Sequence, residues 1–446
     1  MRAAVQARAL TVWPLLALAG LALGLRAETI PEELGLNQAI EIALSNHDDL
    51  EAARAAIAAR AGSTLQAGTS PNPVFTLQTE NWRFHGDPAF SLGRSLDVFA
   101  FVTVPVETAG KRMRRVELAA NDERIAEHER QLISWRIRQQ VKAAYWKALA
   151  AESDAAMLSR RRETLQRVEG YHAVQVRQGA AAEVNLIRAR IDTGRAAVAL
   201  AGAEMEASRA KIALVAAMGV SQTSTDFALL RPAPRSAIPG WDQGVAMEAS
   251  VASALAHRAE LLLARALVER AQAALSLERA RARPDLRPYV GYKRTNSLDT
   301  VIGGLMVDLP VRDKNTGNIE EAVAEVRQQE AVLRASEARV RSEVISAVET
   351  VRRRAETLRT MESGVLDGAR ETFRIARAAV NEGGAEPLDV LAAQSVQDEV
   401  ELIRSRLQFD YETSWVELET AMGTPEQASA SHAARPIVAG FGVAAE

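Results

Sequence analysis

The residues that could do chemistry in this chain are few and poorly grouped for it. The densest basic cluster is Gly110-Lys111-Arg112 with Arg114 and Arg115, a composition suited to phosphate. It lacks the further glycines of a phosphate-cradling loop, so it reads as a structural turn. The six histidines, His47, His85, His128, His172, His257 and His432, are scattered and include no i, i+4 pair to clasp a metal. Cys is absent, which excludes disulfides, Cys-based metal or redox centres and a lipidated N-terminal Cys. No Ser/His/Asp set and no paired carboxylates stand out. The expectation is no enzyme, no cofactor and no metal site. Glu183 and Glu386 follow glycine turns, where an acid at a helix start is favoured by the helix dipole.

With no reaction centre in view, the elements themselves must carry the function, and they occur twice. Ala43-Leu44 and Leu50-x-x-Ala53-Arg54-Ala55 recur as Ala254-Leu255 and Leu261-x-x-Ala264-Arg265-Ala266. Pro284 answers Pro73 at that same offset. Further on, Gly383 answers Gly179, and Ala421-Met422-Gly423 answers Ala217-Met218-Gly219. A duplication of about 200 residues is too long for a solenoid unit and implies two similar halves.

Residues 1–27 read as an export signal: Arg2 and Arg8 precede the apolar run Ala9 to Leu25, and Ala27 is a small residue for cleavage. The chain has 446 residues and a formal charge of −3, and loss of the arginines of that leader makes it more acidic. Such a balance argues against a nucleic-acid partner. No later apolar run is long enough for a transmembrane helix. Aromatic residues are only 4%, and the abundance of Ala, Glu and Arg suits long packed helices.

The first repeat is expected over 28–219, a linker over 220–246, the second repeat over 247–423 and a tail over 424–446. Each repeat opens with a helix, Leu36 to Gln66 and Met247 to Arg281, that ends at a proline-bearing break. Alternating stretches follow. Val74 to Glu80 sets Phe75, Leu77 and Thr79 on one side, and Asp97 to Pro105 sets Val98, Ala100, Val102 and Val104 on one face. Leu286 to Lys293 and Thr300 to Leu309 do the same, so β-hairpins are expected at about 74–105 and 286–309. The connections, about Asn81 to Arg94 and Thr295 to Asp299, read as loops. Period-two alternation with one apolar face suits strands between lipid and water. Proline is missing between Pro105 and Pro232 and between Pro310 and Pro387. Both intervals read as very long helices, Gly110 to Val176 and Asn318 to Val380, each roughly 100 Å at 1.5 Å per residue. In the second, Val326, Leu333, Val340 and Ala347 form one heptad seam and Val344, Val351 and Leu358 the other. Each long helix turns at a glycine, Gly179 or Gly383, and a second helix runs back.

Four membrane-type strands cannot close a barrel, since eight is about the practical minimum. Sheet edges cannot be left open in lipid. Helices of roughly 100 Å cannot lie within a membrane about 30 Å thick. Several copies must therefore share one barrel that continues into a helical tube.

Pro105-x-Glu107-x-x-Gly110-Lys111-Arg112-x-x-Arg115-x-x-x-Ala119 resembles the segment after the first hairpin of the TolC-like outer-membrane efflux protein family, in its heavy-metal (CzcC-like) subgroup. Pro310, Asn315-x-Gly317-Asn318-Ile319 and Ala322 resemble the second-half partner. Gly179 with Asn185, and Gly383 with Asp389-Val390-Leu391, resemble the two tip turns. The resemblance covers nearly the whole chain after the leader. It implies a mainly α fold with a small β part: two structural repeats per chain, and a homotrimer whose twelve-stranded outer-membrane β-barrel is continued by a long periplasmic α-helical barrel. It implies the exit duct of a tripartite RND-type pump, partnered by a periplasmic adaptor (membrane fusion protein), an inner-membrane transporter and outer-membrane lipid. It also implies a periplasmic constriction at Asp389, with Asn185 its first-repeat equivalent and Glu183 and Glu386 adding charge at the entrance. Gly179 and Gly383 become adaptor-docking tips, and Gly110, Lys111 and Arg112 a turn below the barrel. Ala392 replaces the family's second gating Asp, and Val380 and Ala385 stand where one member has a latching Tyr and Arg. The subgroup implies heavy-metal cations as cargo. Drug or small-molecule efflux, or type I secretion, through the same duct stays open, as do a periplasmic adaptor and a coiled-coil scaffold.

Overall fold

A computed structural model describes residues 30–82, 85, 96–221, 225–232, 245–296 and 298–423. The expected leader and tail lie outside the described residues, as do most of the expected linker, most of the loop after Asn81 and residue 297 of the second loop.

The first repeat holds β1 (Glu33–Leu34), α1 (Leu36–Asn46), α2 (Asp48–Ala67), β2 (Val74–Glu80), β3 (Asp97–Thr103), α3 (Lys111–Arg177) and α4 (Glu183–Ala217). After β4 (Ala228–Leu229) come α5 (Val245–His257), α6 (Ala259–Arg281), β5 (Leu286–Thr295), β6 (Leu298–Val307), α7 (Thr316–Thr360), a π-helical turn (Met361–Leu366), α8 (Asp367–Asn381) and α9 (Pro387–Met422). The fold is thus mainly helical with a small sheet. At 67 residues, α3 is roughly 100 Å long.

Two expectations need correction. Each opening helix is a pair of helices, broken at His47 and at Arg258. Both break residues are extended, with ψ 119° and 124°. The His47 ring accepts a hydrogen bond from the Asp49 N–H and so caps α2. The glycine that ends each repeat sits against the break. A Cβ on Gly219 would lie 3.3 Å from His47 Cα, and one on Gly423 would lie 2.8 Å from Arg258 Cγ. Both glycines have positive φ. The repeated Ala-Met-Gly therefore ends a helix in the left-handed conformation and leaves room for the broken helix pair. The second correction is the π turn, which interrupts what reads as one continuous helix from Asn318 to Val380. Ser363-Gly364 and Gly368 fall in and just after it, and such residues weaken an α-helix locally.

A core cluster centres on each repeat, and the first also takes in Phe409 and Val416 of α9. Ile40, Leu50, Val141, Tyr145, Trp146, Leu214 and Met218 form the body of the first. Leu261, Val340, Val344, Val351, Trp415 and Leu418 form the second, and they include the heptad positions Val340, Val344 and Val351. Burying such side chains stabilises by about 1.5–3 kcal/mol each. The parallel β1–β4 pair, invisible in the sequence pattern, closes over the first core. The Tyr145 hydroxyl lies within hydrogen-bonding distance of the Leu34 and Leu230 carbonyls there, and burial pushes its pKa up to about 12.

Candidate functional site

Three places along the long axis are candidates: the sheet, the turn beneath it and the helical tips. The sheet has strand order β2-β3-β5-β6, all antiparallel. Its register aligns Phe75, Val102 and Val290 in one row, and Leu77, Ala100, Tyr292 and Val301 in another. These residues share one face, and all but Ala100 are exposed. The opposite face carries Thr76, Gln78, Lys293 and Thr300 together with Phe99 and Phe101. One face therefore suits hydrocarbon and the other a wetter interior. β2 and β6 each pair on one side only, which leaves the two ends of the sheet as open ladders.

Beneath the sheet, Gly110 takes φ 70° and starts α3. Lys111 is buried, and its ammonium donates to the Arg283 carbonyl at 2.6 Å and to Asp285 Oδ1 at 2.7 Å. The Thr108 N–H donates to the same Asp285 oxygen at 2.9 Å. Burial acts against ionisation of Asp285, but the Lys111 and Thr108 bonds outweigh it and hold the carboxyl below its usual range. Arg112 donates to Ser70 Oγ at 3.1 Å, and Arg115 forms an ion pair with Glu107. Of the basic cluster, Lys111 ties the first repeat to the start of β5, while Arg112, Arg114 and Arg115 bond within the first repeat. The corresponding turn of the second repeat starts at Asn315, φ 58°, whose amide donates to the Glu278 carbonyl and carboxylate, both at 2.8 Å. Asp285 was the residue that sequence reasoning missed; its only signal was its place directly after Pro284.

At the tips, Gly179 and Gly383 have φ 70° and 76°, and a Cβ on either would meet nothing within 4 Å. Glu386 is the N-cap of α9, with Pro387 in the first turn. Asp389 accepts from the Glu386 N–H at 3.0 Å, and the Asp389 N–H donates to the Glu386 carbonyl at 3.0 Å. The Tyr171 hydroxyl lies 3.4 Å from the Glu386 carboxylate. Asp389 and Glu386 are thus brought together in a capping box. Glu183 lies in the first turn of α4, after the N-cap Ala182, and Asn185 donates its N–H to the Ala182 carbonyl. Among the described residues no hydrogen bond or ion pair joins Glu183 or Asn185 to Asp389. No cluster of three or more His, Asp or Glu side chains suited to a metal occurs among the described residues, and no described helix is long and apolar enough to cross a membrane.

The family model described as "Outer membrane efflux protein" matches residues 39–220 and again 251–424, once per repeat. The chain belongs to the outer membrane efflux protein family. It is similar to the cobalt-zinc-cadmium resistance protein CzcC of Cupriavidus metallidurans, with 25% identity over 81% of this chain and 83% of that protein. Among solved structures it resembles CusC, whose crystal structures concern conformational changes accompanying folding and transmembrane channel formation, with TM-score 0.70, 15% identity and coverage of 87% of this chain and 92% of that one. It also resembles the outer membrane protein VceC of Vibrio cholerae, with TM-score 0.69, 19% identity and coverage of 87% and 96%. Family and fold are those of outer-membrane efflux channels rather than of known enzymes.

Proposed function

We propose that this chain is the exit duct of a tripartite pump that expels heavy-metal cations. Three copies place their sheets side by side in a twelve-stranded outer-membrane barrel. The helices form a periplasmic tube whose Gly179 and Gly383 tips meet an adaptor linked to an inner-membrane transporter. A leader over residues 1–27 delivers the chain to the envelope. The observation that carries the reading is the four-stranded sheet with one apolar exposed face and two open ends, mounted on helices of which α3 alone is roughly 100 Å long. Such a sheet is complete only in company and in lipid. The cargo part rests on the similarity to CzcC.

At the tips, three copies of Asp389, flanked by Glu386 and Glu183, ring the axis and attract cations. Asn185 is the neutral counterpart on the first hairpin. The test is a deletion strain challenged with zinc, cobalt, cadmium, copper and silver beside a drug panel, with heat-modified gel migration of the outer-membrane fraction as the check on the duct itself. Metal hypersensitivity is expected. Hypersensitivity to drugs alone would remove the metal cargo and leave the duct.

A further inference from the structure

We propose that β6 of one copy pairs with β2 of the next in the register that β3 and β5 already show within the chain. The inference rests on the duct reading above and deepens it by naming the contact residues. The starting point is that the two hairpins are superimposable in register. Aligning Pro73 with Pro284 maps Val74 onto Asp285, and aligning Pro105 with Pro310 maps Thr103 onto Asp308. Val74 faces Thr103 in the first hairpin. Asp285 and Asp308 continue, by one step, the second-hairpin ladder that ends at Leu286 facing Val307. The same alignment therefore serves both strands of the hairpin.

The junction between the two hairpins in one chain then becomes the template for the junction between copies. In the chain, Thr103 faces Tyr289. The Val104 N–H donates to the Pro288 carbonyl at 3.0 Å, and Val106 and Leu286 exchange bonds of 2.7 and 3.1 Å. Transferred through the repeat, Asp308 faces Gln78 of the neighbouring copy, Leu309 faces its Leu77, and Val311 exchanges bonds with its Phe75. Nothing in the construction forces the side chains to agree, yet they do. Leu309 is 74% exposed and Val311 74%, while Phe75 is 66% and Leu77 63% exposed. The transfer brings these four apolar side chains together on the hydrocarbon face and sets the polar Asp308 and Gln78 on the other. A slip of one residue would oppose Leu309 to Thr76 or Gln78, whose side chains leave from the opposite face.

One feature of the template has no counterpart. Lys111 and Asp285, the buried pair under the hairpin junction within the chain, map onto Thr316 and Val74. The seam between copies is a backbone ladder with apolar contacts and lacks the ion pair. It is the weaker of the two junctions.

The chain has no Cys, so paired cysteines report on the seam without background. Because the flanking pairs exchange hydrogen bonds, Asp308 and Gln78 inherit a non-hydrogen-bonded position, where opposed side chains come closest. Full-length protein carrying Asp308→Cys and Gln78→Cys, extracted from outer membranes, should run as a covalent trimer on non-reducing gels and as a monomer after reduction. Asp308→Cys with Thr76→Cys or with Glu80→Cys, each slipped by two residues on the same face, should stay unlinked, as should Asp308→Cys alone. Linking through a slipped pair in place of the Gln78 pair would overturn the register. So would a failure of all three pairs to link while the wild-type native mass in detergent equals three chains. A native mass of one chain would instead overturn the duct reading itself.

Discussion

The two repeats share one plan and differ in where they are tied down. The first has an unbroken α3 of 67 residues, and its turn beneath the sheet is bound across the chain through Lys111 and Asp285. The second has a helix interrupted by the π turn Met361–Leu366, and its turn binds α6 of the same repeat, through Asn315 and Glu278. At the tips the asymmetry reverses: the second carries a capping box, Glu386 with Asp389, and the first has Ala182 with no side-chain cap. A duplicated sequence folded identically would need the same ties in both copies. The lesson is that one junction is internal to the chain and can carry a buried ion pair, while its equivalent is an open end.

The largest effect is expected at the two tip glycines, which share one left-handed conformation. Gly179→Val and Gly383→Val each put a branched residue at φ 70° or 76°, a strain of about 1–2 kcal/mol, in space that is otherwise empty. Folding and membrane insertion should survive, while metal tolerance of the host falls to that of a deletion strain. If both variants export normally, the tips are not the docking surface. If only one fails, the two hairpins have different partners, and the comparison sharpens.

Next is the tie itself. Lys111→Met keeps the aliphatic stem and removes the charge from a buried pair, at a cost of about 2 kcal/mol, since Asp285 retains some contact with water. Asn315→Ala should cost about 1 kcal/mol, because it loses two amide bonds and an asparagine suited to positive φ. Unfolding midpoints in detergent order the two, and equal losses would erase the distinction drawn between the junctions. The pH dependence is signed. The Asp285 carboxyl sits below its ordinary value of 3.8, so its stabilisation is full above that value and is lost as pH falls through the lower folded value. Wild type should therefore lose stability below about pH 4 more steeply than Lys111→Met.

The helix breaks give a smaller contrast. Gly219→Ala meets His47 at 3.3 Å and adds left-handed strain, about 1–2 kcal/mol. Gly423→Ala adds to the same strain an approach of 3.0 Å to the Arg258 backbone, so it should cost about 1 kcal/mol more. Equal midpoints would mean that the second break yields.

Much of this architecture was legible because its signals are long. Period-two alternation in Val74 to Glu80, the proline-free intervals after Pro105 and Pro310, and the spaced echoes from Ala43 to Gly423 each summed over many residues. The helix breaks at His47 and Arg258 were not legible, because neither residue is a helix breaker by type. What makes room for each break is a glycine more than 160 residues further on. The π turn and the β1–β4 pair are too short to leave a period. At the turn, the cluster from Gly110 to Arg115 was visible as basic residues, but Asp285, which gives Lys111 its role, is remote in sequence.

The smallest and most discriminating effect concerns Asp389, whose carboxylate has two readings at once. As a cap it accepts the Glu386 N–H at 3.0 Å, which needs an oxygen and no charge. As part of a ring around an axis it attracts cations, which needs the charge. Asp389→Asn keeps an amide oxygen for the cap and discards the charge, whereas Asp389→Ala discards both. If the ring operates, both variants should weaken the block of single-channel current by multivalent cations to a similar degree. Only Asp389→Ala should lower the stability of the second tip, by about 1 kcal/mol. Hydrogen exchange at the start of α9 reads that loss separately from the current. If block is unchanged in both, Asp389 is a cap alone and Glu386 becomes the next residue to test. Asn185→Ala, on the uncapped first tip, should alter neither measurement. Its one bond in that turn comes from the backbone, Asn185 N–H to Ala182 O, and survives the substitution.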